Sequence, residues 1–82
     1  MTHTYNPKGV CSRQITFDLD DDGRVRNVSF YGGCNGNTQG LARLAEGMLA
    51  EELVSRLRGI RCGMRTSSCP DQLACAVENA MK

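Results

Sequence analysis

Cysteine falls at positions 11, 34, 62, 69 and 75 of an 82-residue chain, and no two of the five stand in a C-x-x-C pair. A chain of this length supports one hydrophobic core, not two. The material for that core is thin: hydrophobic residues make up 40% and aromatics 5%, with no Trp and 9 Gly. Small domains of this kind commonly rely on a staple, whether disulfides, a metal or a partner chain. The cysteines are the candidate for that staple.

Charge excludes some functions. Ten Lys+Arg against nine Asp+Glu leave a net +1, and the basic residues are scattered, so nothing implies a phosphate-backbone footprint. No nucleic acid partner is expected. The stretch Met1-Thr2-His3-Thr4-Tyr5-Asn6-Pro7 lacks the basic start and apolar run of a secretion signal, and no apolar run is long enough to span a bilayer. The expectation is a cytoplasmic chain with no membrane partner. Cytosolic thiols are normally kept reduced, and an odd count fits a complete disulfide framework poorly, so metal ligation or thiol chemistry is favoured.

Residues 1–8 are polar, contain Pro7 and show no periodicity, which predicts a flexible lead-in ahead of a single domain over 9–82. Alternation then sets in, with Ile15, Phe17 and Leu19 on one face, an acidic cluster, and Val25, Val28, Phe30 and Tyr31 beyond it. This predicts a β-hairpin. Asp22-Gly23 predicts a two-residue turn of the primed type. In that register paired numbers sum to 45, setting Phe17 opposite Val28, Ile15 opposite Phe30, Arg13 opposite Gly32 and Cys11 opposite Cys34 at the open end. Gly32-Gly33 is a candidate bulge.

Thr38 is the expected cap of a helix whose apolar face is Leu41, Leu44, Ala45 and Met48, interrupted at Gly47. A second helix is expected over 50–58, with Leu49, Leu53, Val54 and Leu57 inward and Gly59 as its stop. Cys69 opens a last helix, with Pro70 and Asp71 in its first turn and Leu73, Ala76, Val77 and Ala80 on its inner face.

Cys11, Cys34, Cys62 and Cys69 thus stand at element ends, whereas Cys75 lies on another face of the last helix, near Glu78 and Asn79, and is left out of the set. Four thiolates suit a soft metal, since structural Zn²⁺ takes four tetrahedral ligands and iron–sulfur clusters are usually held by four Cys. A thiol opening a helix also stands in the positive end of the helix field, which favours the thiolate, with Arg61 and Arg65 nearby in sequence. That physics serves a metal ligand and a reactive thiol equally.

Other motifs carry less. Gly32-Gly33-Cys34-Asn35-Gly36-Asn37 could cradle an anion, but it lacks the Lys of a phosphate loop. Asp18, Asp20, Asp21 and Asp22 lack the spaced ligands and closing Glu of a calcium loop, so a solvated turn is expected. A nucleophilic triad would need His3, the only histidine, from the lead-in.

Tyr5-Asn6-Pro7, Gly9-Val10-Cys11-Ser12, Gly32-Gly33-Cys34-Asn35-Gly36-Asn37, Gly59-Ile60-Arg61-Cys62-Gly63 and Ser67-Ser68-Cys69-Pro70-Asp71-Gln72-Leu73-Ala74 together resemble the small four-cysteine proteins of the TSCPD family, with Ser67 where that family usually has Thr. Related domains stand at the C-terminus of cobalamin-dependent ribonucleotide reductases. Eighty-two residues cannot enclose a nucleotide, a cobalamin and a radical-bearing barrel. The resemblance therefore implies an accessory module and not an enzyme acting alone, even where its family label is ribonucleoside-diphosphate reductase.

A weaker resemblance links Cys11, Cys34 and Cys69 to the U-type iron–sulfur scaffold proteins. Their His before the last Cys is replaced here by Ser68, and their Asp after the first Cys by Ser12 and Arg13, with Cys62 standing in for the missing ligand.

The expected fold is α+β: an antiparallel hairpin or small sheet packed against two or three helices, similar to the U-type scaffold. The expected function is a module holding zinc or an iron–sulfur cluster through Cys11, Cys34, Cys62 and Cys69. The alternative is a thiol-redox or accessory module that cycles a disulfide, with Cys11 and Cys34 as the pair. The protein partner implied by resemblance is a ribonucleotide reductase or an iron–sulfur assembly component, and a homodimer is compatible with the sequence.

Overall fold

A computed structural model describes residues 2–7, 12–32, 35–61, 63–64 and 67–81, without the side chains of Ser12 and Asn35. Its order is β1 (Thr2–Tyr5), β2 (Ser12–Leu19), β3 (Val25–Gly32), α1 (Asn35–Ala45), α2 (Ala50–Leu57) and α3 (Cys69–Met81). The strands form one antiparallel sheet in the order β1-β2-β3, with helices over one face. This is the expected α+β arrangement.

The first four described residues correct the flexible lead-in expected over 1–8. Thr2–Tyr5 form an edge strand in which His3 faces Phe17 and Tyr5 faces Ile15. Its alternation is half polar: Thr2 and Thr4 are exposed, whereas His3 and Tyr5 are half-buried. A threonine–histidine–threonine–tyrosine run carries no aliphatic signal, so the period of two was invisible to an apolar count. The His3 ring stacks on Phe17 with centroids 5.3 Å apart, a packing role for the side chain.

The hairpin turn differs by one residue from the expected one. Asp20 and Arg24 close a three-residue loop, with Gly23 N–H donating to the Asp20 carbonyl at 3.0 Å and Asp20 N–H to that of Arg24 at 3.0 Å. Gly23 takes φ +79°, as a three-residue loop with a left-handed last position requires. Pairing therefore starts one step short, at Leu19↔Val25 and Asp18↔Arg26. A bulge restores the expected register at Thr16↔Ser29 and Ile15↔Phe30. It falls where Asn27 has φ +54°; the Asn27 amide donates to Asp18 Oδ2 at 2.8 Å and its backbone N–H to Glu46 Oε1 at 2.9 Å.

A second irregularity, between Ser12 and Gln14, leaves Ser12 opposite Gly32 in place of the expected Arg13. Cys11 opposite Cys34 lies outside the described residues.

α1 begins at Asn35, three residues before the expected Thr38 cap, and Thr38 is buried inside it. α1 ends before Gly47, whose φ of +80° turns the chain. Gly47 N–H donates to the Val25 carbonyl at 2.7 Å, Val25 N–H to Met48 at 2.9 Å and Ala50 N–H to Gly23 at 2.9 Å. The start of α2 is thereby tied to the hairpin turn. α2 then runs away from the turn, and α3 runs back beside it.

The core is Ile15, Phe17 and Val25 from the sheet against Leu53 of α2 and Leu73 and Val77 of α3, each 0–1% exposed. Truncating such a residue to Ala costs about 2–5 kcal/mol. Ala45, Ala50, Ala74 and Ala76 are also buried, so close approach of helix and sheet backbones supplies packing that few aromatics are present to give.

Candidate metal centre

The path of the helices gathers several chain segments at the end away from the turn. Leu19, Asp22, Gly23, Leu49, Ala50, Glu51, Ala80 and Met81 border one groove at the turn end. The opposite ends of the same elements are Ser12 and Gly32 of the hairpin, Asn35 of α1, Leu57 of α2 and Cys69 of α3. Among the expected ligands Cys69 is described: it is half-buried and opens α3. Cys11, Cys34 and Cys62 lie outside the described residues, and each is bonded to a residue just named or to Arg61.

The start of α3 is held by short side chains. Ser68 caps the helix: its hydroxyl oxygen accepts from Asp71 N–H at 3.2 Å, and its carbonyl from Gln72 N–H at 2.8 Å. The same hydroxyl donates to the Ile60 carbonyl at 2.7 Å. Asp71 Oδ1 accepts from Gly59 N–H at 2.7 Å, and Oδ2 from the Ser67 hydroxyl at 2.6 Å. Gln72 Nε2 donates to Ser67 Oγ at 2.9 Å. Ser67, Ser68, Asp71 and Gln72 are all buried, so these bonds form out of water, where leaving one unmade is costly. They bind the segment leaving α2 to the first turn of α3, on either side of Cys62 and up against Cys69.

The Ser67 hydroxyl, then the Gly59 N–H, hold the Asp71 carboxyl below the usual carboxylate range, against the opposing effect of burial. Arg58 Nε adds a longer contact to Asp71 Oδ1 at 3.9 Å. Arg58 Nη1 donates to Glu78 Oε1 at 2.9 Å and to Cys75 Sγ at 3.2 Å.

Cys75 stands on a different face of α3 from the core residues, as expected. Burial pushes its thiol up, and Arg58 opposes that shift. Tyr5 is likewise raised by burial and by Cys75 and Asp71, with Arg58 acting against them.

Sequence reasoning named the cysteines and missed Arg58 and the Ser67–Asp71 pair as positioning groups. The serine cap three residues before Asp71 was readable as a capping signal; the Gly59 contact, twelve residues away in sequence, was not. The acidic cluster serves the hairpin. Asp20 Oδ1 accepts from Asp22 N–H at 3.0 Å and Arg24 N–H at 2.8 Å, and Asp18 accepts from Thr2 and Asn27. Among the described residues no three His, Cys, Asp or Glu side chains form a metal-holding group.

Fold and sequence together define a small cysteine-rich α+β domain. The chain matches the TSCPD domain over residues 2–81, nearly its whole length, and belongs to that family. Neither the curated proteins nor the solved structures offer a match to it. No helix among the described residues is long and apolar enough to cross a membrane.

Proposed function

We propose that the protein is a metal-binding module in which Cys11, Cys34, Cys62 and Cys69 hold zinc or an iron–sulfur cluster. The observation that carries this reading is the buried Ser67–Ser68–Asp71 network, which fixes Cys69 and anchors the chain on both sides of Cys62 at the end where Ser12 and Asn35 also stand. The donor set fits by its chemistry: four cysteine thiolates match the ligand number and softness that zinc and iron–sulfur clusters select. The bound group would supply folding free energy, about 10–16 kcal/mol of apparent binding for structural zinc.

Elemental analysis and the absorption spectrum of anaerobically purified protein test this. The expected result is metal that is lost in Cys69→Ser and retained in Cys75→Ser, with chelation unfolding the chain. A well-folded protein free of zinc and iron would overturn it.

Membership of the TSCPD family supports a second reading, in which the module serves a cobalamin-dependent ribonucleotide reductase as an accessory and its thiols cycle. Mass spectrometry of oxidised protein then finds a reversible Cys11–Cys34 disulfide, and its absence rejects that role.

A further inference from the structure

The groove at the turn end, about 360 Å³ in volume, combines apolar surface with two carboxylates. Gly23, Ala50 and Ala80 leave the space open, and a Cβ added at Gly23 would meet no atom within 4 Å. Leu19, Leu49 and Met81 supply the apolar lining, and the last two stay 43% and 44% exposed. Covering that surface removes it from water, which favours an occupant with apolar groups of its own.

Charge decides which occupant. Asp22 and Glu51 line the groove; both are exposed, and among the described residues neither side chain forms a hydrogen bond or ion pair. No cation among the described residues lines it. Arg24 donates instead to the Gly47 carbonyl at 2.7 Å, and Arg26 is held by Asp20 and Glu46. α3 ends here with no basic residue in its described last turn, so its free carbonyls add to the negative field. α2 starts here, and Glu51 and Glu52 in its first turn oppose its positive end.

Apolar surface beside unpaired carboxylates is the complement of Lys and Arg, whose methylene stems lie along apolar groups while the charged head reaches a partner. The carboxylates repel nucleic acid and anionic lipid. They also oppose a second copy docking by the same face, which would set Asp22 and Glu51 against their own counterparts across a two-fold axis.

We infer that the groove receives a basic segment of a partner protein, an aliphatic residue flanked by Lys or Arg. Met81 can adapt to the incoming side chain. The inference stands apart from the metal reading, because the groove lies at the turn end and the segments that carry the cysteines at the other.

The test is titration of the full chain, as purified, with a short peptide carrying Leu between Arg residues, and with two counterparts, one with Glu for Arg and one with Ser for Leu. The Arg–Leu peptide is expected to shift the amide resonances of Gly23, Leu49, Glu51 and Met81 and to bind at least about tenfold more tightly than the Glu peptide. The Ser peptide should bind more weakly than the Leu one, and added salt should weaken both. Asp22→Asn combined with Glu51→Gln should lower affinity for the Arg–Leu peptide at least about tenfold. Both side chains are exposed, so circular dichroism should show the variant folded. Failure of the Arg–Leu peptide to bind, equal binding of either counterpart, or undiminished binding by the double variant would overturn the proposal. So would self-association in sedimentation that the double variant abolishes, since the occupant would then be a second copy. Lys82 follows Met81 in sequence and lies outside the described residues; if Lys82→Ala raised peptide affinity tenfold or more, the groove would belong to the chain's own lysine and the proposal would fall.

Discussion

The two ends of the molecule use hydrogen bonds differently. At the hairpin turn, Asp18, Asp20, Arg24, Arg26, Asn27 and Glu46 form a half-exposed mesh in which Asp20 alone accepts from Asp22, Arg24 and Arg26. The Arg26 contacts to Asp20 and Glu46 are 3.2 and 3.5 Å long, and their side chains remain 32–46% exposed. Water can replace any one of these partners, so each bond contributes little net stability. At the cysteine end, Ser67, Ser68, Asp71 and Gln72 are buried, and each satisfies the others. The turn end is redundant and the cysteine end is not. An end built to keep a thiol in place needs the second kind of construction, because a buried network has one arrangement in which every group is paired.

That contrast is broken first by Asp71→Ala. It strips partners from the Ser67 hydroxyl and the Gly59 N–H at once, and it should cost about 3 kcal/mol, lowering Tm by roughly 12–24 °C in a domain of this size. Urea unfolding measures it; a loss under about 1 kcal/mol would mean that the cysteine end is as replaceable as the turn. Ser68→Ala removes the cap and the bond to Ile60 and should cost about 1 kcal/mol. Gly23→Ala at the turn should cost a similar amount, about 1 kcal/mol, for conformational reasons alone: Gly23 has φ +79° and no atom within 4 Å of an added Cβ. Asp20→Asn should lower Tm less than either.

Acid and base sharpen the same comparison through smaller effects. Because the Asp71 carboxyl is depressed by its hydrogen bonds, its stabilising contribution is present above the ordinary carboxylate value of about 3.9 and disappears as pH falls through the lower folded value. Asp71→Asn should flatten that part of the pH profile. Cys75 has the opposite sign. Its thiol is raised by burial, so stability holds below the ordinary value of about 8.5 and falls as pH rises through the higher folded one. Cys75→Ser should remove that loss, read as Tm against pH.

What was legible in the sequence divides along the same line. α3 was readable to its first residue, Cys69, because an apolar stripe, a proline at the first turn and the acidic Asp71 agree there. α2 was readable because Gly59 ends its pattern at φ +88°. The register was readable in mid-strand, at Ile15↔Phe30, where apolar pairs decide it. It slipped by one near the turn and at Arg13, because bulges depend on backbone conformations such as that of Asn27 and leave no apolar trace. β1 was missed because its inward residues are His3 and Tyr5. Leu44 was read as buried because its spacing fits the face, but burial also needs an element opposite, and nothing among the described residues covers it.

Ser67→Thr isolates the smallest expected effect and the most specific claim about the family motif. Position 67 must donate to Asp71 Oδ2 and accept from Gln72 Nε2. A threonine hydroxyl can do both, and the price of its extra methyl depends on the room beside a residue that is 8% exposed. A change within about 0.5 kcal/mol is expected, against about 1–2 kcal/mol for Ser67→Ala, which leaves the Asp71 carboxylate and the Gln72 amide short of a partner. If serine, threonine and alanine gave equal stability in urea unfolding, the hydroxyl would be irrelevant to the fold. If threonine alone were strongly destabilising, the site would lack room for the residue its family usually carries, and the packing described around Asp71 would be wrong.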